Sequence, residues 1–162
     1  MRHPIAAVVL IALLSACVSG PVFDTAAVDR SLTPSGVTAE PAAANGKTVL
    51  WGGVILATVN GKDSTRLEVL TYPLDSNDKP QRDRDALGRA LFEVRGYLEP
   101  ATYAADRMIT LVGKVRGTET GKVGESDYVY PVISSEQLYL WPQEDQRDNT
   151  GVHFGVGVGF GL

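Results

Sequence analysis

From residue 48 onward, apolar and polar positions alternate with the period of two that a half-buried strand requires. Leu67, Val69 and Thr71 alternate with Arg66, Glu68 and Leu70, and Pro73 ends that run. Ala90, Phe92 and Val94 share one face of the next, with Arg89, Glu93 and Arg95 on the other. Before them, Thr48 to Val59 is β-rich, and its mid-run Gly52-Gly53 reads as a bulge or sharp bend. Asn60-Gly61 is a hairpin signal. Ser76 to Leu87 is highly charged without an apolar period and predicts a solvated loop. Glu99-Pro100 opens a single helical turn, since proline suits the first turn of a helix. Met108 to Val115 is a further strand with Ile109, Leu111 and Val115 inward. Gly117, Gly121 and Gly124 mark a loop after it, followed by strands at Tyr128 to Ile133 and Gln137 to Trp141.

Five or six short antiparallel strands in this order predict an all-β domain over residues 45–142. An OB-like Greek-key barrel suits the long bent first strand, the hairpin and the short helical connection; an immunoglobulin-like sandwich is the competing architecture.

The N-terminus follows a different pattern. Arg2 precedes an apolar run from Ile5 to Leu14 that stops at Ser15-Ala16-Cys17. A run of about ten residues is roughly half of a bilayer-spanning helix and has the form of a signal peptide, residues 1–16. Leu14-Ser15-Ala16-Cys17 resembles the bacterial lipobox, which implies a diacylglycerol on the Cys17 thiol and an N-acyl chain on its amine. More than one acyl chain makes such an anchor stable. Val18 follows the cysteine, where an aspartate would favour the inner membrane, so the outer membrane is expected. Residues 17–44, rich in Ala, Ser, Thr, Pro and Gly, read as an acylated start and tether, with a coil reach of roughly 25–30 Å. Phe23 is odd in a wet linker and raises the alternative that its surroundings dock on the domain. In the tail, residues 143–162, Val152, Phe154, Val156, Val158, Phe160 and Leu162 alternate with His153 and four glycines. It is loosely held, added to the domain's own sheet, or paired with another chain.

Composition narrows the chemistry. The 162 residues are 44% hydrophobic and 21% charged, with a formal net charge of −4. A mildly acidic exported chain is a poor nucleic-acid partner, even in an OB-like fold. Cys17 is the only cysteine, and His153 is the one histidine beyond the signal segment, so neither a disulfide nor a Cys/His metal site is expected. No cofactor is called for, and no nucleophile and base stand out as a catalytic pair. Trp51 beside Gly52-Gly53, with Tyr97, Tyr103, Tyr128 and Tyr130, could line a ligand or partner groove; packed or rim-of-core aromatics are the favoured reading. Arg82, Arg84, Arg89 and Arg95 could take phosphate, but the interleaved Asp83, Asp85 and Glu93 favour a self-paired face.

Several segments together resemble the Slp family of outer-membrane lipoproteins. They include Trp51-Gly52-Gly53, Leu67-Glu68-Val69, Pro73-Leu74-Asp75, Gly96-Tyr97-Leu98-Glu99-Pro100 with Tyr103, Asp106-Arg107, Gly121-Lys122-Val123-Gly124, Tyr128-Val129-Tyr130-Pro131 and Leu140-Trp141. Asp106 departs from the pattern, since relatives tend to carry glycine there. The resemblance implies a lipid-anchored, non-enzymatic envelope protein associated with starvation or stress, with Cys17 as the residue carried over. Its expected partners are outer-membrane lipid through Cys17 and envelope proteins, with the domain facing the periplasm. The alternative is a carrier or sensor that binds a small apolar or lipid-like ligand in the barrel mouth or the Tyr/Trp groove.

Overall fold

A computed structural model of the chain describes residues 20–143. Cys17, the signal segment and the tail beyond Gln143 lie outside the described residues. Five strands, β1 (Thr48–Asn60), β2 (Ser64–Tyr72), β3 (Gly88–Arg95), β4 (Met108–Val123) and β5 (Ser126–Leu140), close into a barrel in the order β1-β2-β3-β5-β4. This is the expected OB-like connectivity, with one departure from an antiparallel sheet. β3 and β5 close the barrel as a parallel pair, Leu91 opposite Val132 through Glu93 opposite Ser134.

The inward positions of the strands are those the alternation predicts. Leu67, Val69, Ala90, Phe92, Ile109, Leu111 and Val115 are all fully buried. The interior is therefore packed with side chains, as in other small barrels. β1 serves two partners, pairing with β4 through residues 48–54 and with β2 through residues 52–60. Gly52 and Gly53 lie where those pairings overlap. A Cβ on Gly53 would stand 2.0 Å from the Leu70 carbonyl oxygen, so close backbone approach is what fixes glycine there. The register shift of β1 falls further on, between Ile55 and Ala57, and the glycine pair itself is not the bulge.

The expected glycine loop after residue 115 and the two short strands beyond it are replaced by one long β4–β5 hairpin. Gly117 (φ 119°) takes up a register shift between Val115 and Gly117, and Gly124 (φ 60°) sits in the turn. A glycine at a bulge and a glycine at a loop look alike in one dimension.

The tether reading of residues 17–44 is corrected over its described part. Two short helices, α1 (Pro34–Ala39) and α2 (Pro41–Ala44), pack on the end of the barrel where β1 and β3 begin. Thr33 caps α1 by accepting from the Gly36 N–H at 3.1 Å, and Pro34 starts it. Val37 is completely buried in the barrel core, and Ala44 nearly so. Upstream, Val28 forms a parallel bridge to Thr48, and the Asp24 N–H donates to Gln137 Oε1 at 2.9 Å. The misleading signal was length: Val37 and Ala44 belong to elements of six and four residues, too short to show a period.

The loop after β3 closes the other end. Its expected helical turn is present, with the Thr102 and Tyr103 N–H groups donating to the Glu99 carbonyl at 3.0 Å. Leu98 and Tyr103 pack on the core from this loop. Thr65, fully buried on β2, accepts from the Leu98 N–H at 2.9 Å and contacts Asn60 Oδ1.

Candidate functional site

The five aromatic residues proposed as a groove do not share one. Trp51 is 6% exposed, belongs to the core, and donates its Nε1–H to the Leu32 carbonyl at 2.9 Å. It anchors the N-terminal segment to the barrel, a packing role that the glycines beside it permit. Tyr97 is 68% exposed, with its hydroxyl 3.3 Å from Glu99 Oε2, and Tyr103 leans on the core in the end-closing loop. Desolvation, followed by the nearby Glu99 carboxylate, raises the Tyr97 phenol pKa.

Only Tyr128 and Tyr130 meet. Their rings lie 4.7 Å apart between centroids and tilted by 60°, forming a small outer cluster with Leu91 and Val132. The Tyr128 hydroxyl accepts from the Arg89 N–H at 2.9 Å, and the Tyr130 hydroxyl donates to Glu68 Oε1 at 3.1 Å. Tyr130 lies across Gly121, where an added Cβ would come within 3.0 Å of the ring.

This cluster forms where the outer part of the β4–β5 hairpin faces the outer surface of β2 and β3. OB-type barrels use that surface and its flanking loops to bind oligonucleotides and oligosaccharides. Here it carries a ladder of ion pairs. Arg66 stands directly opposite Glu93 and bonds it at 2.8 Å, while its second nitrogen reaches Glu119 of the hairpin at 2.8 Å. Arg89 bonds Glu68 at 2.6 Å. The hydrogen bond to Glu93 is the main cause that raises the Arg66 pKa, and that to Glu68 does the same for Arg89. Burial, then Glu68, raises the Tyr130 phenol. A shallow cavity of about 230 Å³ remains between the hairpin and the barrel, lined by Ala57, Val59, Leu91 and Tyr130 among these charges.

Of the four arginines, Arg82 and Arg89 are paired with carboxylates, but with other partners than their sequence neighbours. Arg89 takes Glu68, Glu93 takes Arg66, and Arg82 reaches Asp106 at 3.4 Å. Strand register decides the first two pairs, and register is not visible in residue spacing.

A larger cavity, about 460 Å³, lies where β4 begins and β5 ends. Arg107, Met108 and Trp141 line it because Ile109 pairs with Leu140, which brings residues 34 positions apart side by side. Arg107 donates to the carbonyls of Thr102 (2.9 Å) and Trp141 (3.1 Å). Trp141 is buried, with its Nε1–H on Thr110 Oγ1 at 2.9 Å and Tyr139 against it edge-on. Sequence reasoning noted Arg107 and Trp141 only as parts of separate segments. Their meeting depends on the β4–β5 register, for which local pattern gives no signal.

No group of three or more His, Cys, Asp or Glu side chains stands close enough to hold a metal ion among the described residues. No helix among them is long and apolar enough to cross a membrane.

Comparison with known proteins follows the same direction as the fold. The chain is 36% identical to an uncharacterized protein of Haemophilus influenzae, over 59% of this chain and 52% of that protein. It is 32% identical to the uncharacterized lipoprotein YeaY of Escherichia coli, over 80% of this chain and 67% of that protein. It is 28% identical to the outer membrane protein Slp of Escherichia coli, over 70% and 60% respectively. The chain thus spans about half to two thirds of the length of these relatives. Among solved structures, a small single-stranded DNA-binding protein from Streptomyces coelicolor is similar at a TM-score of 0.38 and 13% identity, over 59% of this chain and 94% of that one. That likeness carries no argument, and the fold assignment rests on strand connectivity. The model of the outer membrane lipoprotein Slp family matches residues 14–156, and the chain belongs to that family of outer-membrane envelope lipoproteins.

Proposed function

We propose that this chain is anchored in the outer membrane by acylated Cys17 and acts, without catalysing a reaction, as a structural or interaction component of the envelope under starvation or stress. The observation that carries the reading is the docked N-terminal segment. With the Asp24 backbone held by Gln137, the first fixed point on the barrel lies seven positions after Cys17. Seven residues reach at most about 25 Å when fully extended. The barrel therefore rides close to the lipid surface and offers its outer face to neighbours there.

The non-enzymatic part is supported by how the carboxylates are used. Glu68, Glu93 and Glu119 each hold an arginine, and Tyr130, whose hydroxyl donates to Glu68, has its phenol pKa raised, which disfavours the phenolate that a nucleophilic role would need. For the alternative, a carrier or sensor that binds a small apolar or lipid-like ligand in the barrel mouth or the Tyr/Trp groove, the dispersal of the aromatics opposes the groove, and the packed interior around Phe92, Ile55 and Leu67 opposes deeper entry of the ligand.

Two variants test the reading. Cys17→Ser should move the protein from the outer-membrane fraction to the soluble periplasmic fraction with its thermal midpoint unchanged. Insertion of a flexible Gly/Ser segment of about 20 residues after Gly20 should keep it in the membrane while weakening cross-links to neighbouring envelope components. Retention of the Cys17→Ser protein in membranes would refute the anchor, and cross-links indifferent to the insertion would refute the close seating.

A further inference from the structure

We propose that the cavity between the start of β4 and the end of β5 is a binding site for a single amphiphile with an oxyanion head group, held by Arg107 and Arg82 with its apolar chain along Trp141, Met108 and Pro142. The site and its ligand go beyond the anchoring role, and neither depends on the acylation of Cys17.

The first observation is an uncompensated charge. Arg107 is half-buried, and the two acceptors its guanidinium reaches are neutral backbone carbonyls. Among the described residues no carboxylate pairs with it, and its buried Nε has no acceptor. A guanidinium has five N–H donors, so beyond those given to Thr102 and Trp141 one N–H on each terminal nitrogen remains for a ligand, besides the buried Nε–H. Buried donors are nearly always satisfied, and one that is not calls for a partner.

The second observation is a second cation on the same wall. Arg82 lines the cavity together with its companion Asp106, whose carboxylate is 3.4 Å away on a side chain that is 86% exposed and so free to turn to solvent when an anion enters. An ion pair that long and that wet is worth little and gives way readily to a phosphate. Two planar guanidinium groups at one cavity suit an oxyanion with several acceptor oxygens.

The third observation is the character and size of the remainder. Trp141, Met108 and Pro142 supply an apolar flank. A volume of about 460 Å³ falls within the range of sites for small molecules and exceeds what a bare phosphate would fill. Arg107 is fixed at its backbone and tip by neighbours on both sides, so the head-group site is formed in advance of binding.

The test follows two reporters by nitrogen–proton NMR of the full mature chain: the Trp141 indole N–H and the Arg107 Nε–H. Monomeric octyl phosphate should shift both saturably, with a dissociation constant at least about tenfold lower than inorganic phosphate, whereas octyl glucoside should leave them unmoved. Arg107→Gln should abolish the response. Because Arg107 also ties two loops together, Arg82→Ala serves as the variant that keeps the fold, and it should weaken octyl phosphate about threefold or more. The site is overturned if octyl phosphate moves neither reporter, or if octyl glucoside binds equally well. Equal affinity for inorganic phosphate would overturn the apolar half. A response to phosphatidylglycerol vesicles without one to monomeric octyl phosphate would mark a membrane contact and overturn the single-molecule site.

Discussion

Val37→Ala asks whether the segment after the lipobox is part of the folded unit or a strap lying on it. Val37 is 0% exposed, on a helix of only six residues, and packs into the cluster that contains Phe92, Ile109 and Ile133. The substitution removes two methyl groups from that cluster. At about 0.8 kcal/mol for each buried carbon the transfer loss is about 1.6 kcal/mol. The cavity left behind adds on the order of 1 kcal/mol if the short helix cannot collapse into it. The expected loss is thus about 2–3 kcal/mol in global stability. With a urea m-value of about 1.5 kcal/mol/M, the midpoint falls by about 1.3–2 M. Urea unfolding of the soluble Cys17→Ser chain, followed by tryptophan fluorescence, measures it. Val22→Ala is the internal control: Val22 is 95% exposed and its truncation should stay within about 0.5 kcal/mol. If Val37→Ala behaves like the control, the helix rests on the barrel without sharing its core, and the correction of the tether fails.

Three further outcomes follow from particular contacts. Gly53→Ala forces a Cβ to within 2.0 Å of the Leu70 carbonyl and should abolish cooperative unfolding, seen as loss of near-ultraviolet circular dichroism; a native-like spectrum would refute the close-approach reading. Asp106 holds φ at 70°, so Asp106→Gly should be neutral or gain up to about 1 kcal/mol, while β-branched Asp106→Val should lose about 2 kcal/mol; equal midpoints for the two would contradict it. Asp29 has its pKa lowered by hydrogen bonds from the Ser31 hydroxyl and N–H and then by Lys47. Its contribution to stability is therefore complete above the unfolded-state value near pH 4 and is lost as the pH falls through the lower folded value. A carbon-detected titration should find the Asp29 midpoint below the ordinary aspartate range, and a midpoint at or above that range would remove this tie.

How much of this was legible in the sequence depended on whether a signal is local. The alternation of Leu67, Val69 and Thr71, or of Ala90, Phe92 and Val94, is written within one strand, and each of these positions faces inward or packs on the core. Asn60-Gly61 marks its hairpin because the signal is contiguous, and the short segments that resemble the Slp family lie within the matched residues 14–156. Pairings across the barrel were not legible. Arg66 meets Glu93, Arg107 meets Trp141, and Trp51 meets Leu32 through registers that no window along the chain contains. The five-residue aromatic groove failed for that reason: Trp51 turned inward and Tyr97 outward, leaving only Tyr128 and Tyr130 in contact. Over residues 20–44 composition misleads, because small residues and prolines look alike in a tether and in short capped helices. Phe23 was the one hint that the stretch was docked.

The central claim is that Cys17 becomes a lipidated N-terminus and holds this barrel in the outer membrane. Native mass spectrometry of the protein extracted from isolated outer membranes tests it in one spectrum. The account predicts a chain that begins at Cys17 and carries the added mass of a diacylglycerol and an N-linked acyl group. A protein beginning elsewhere, or one beginning at Cys17 with no added lipid mass, would contradict it.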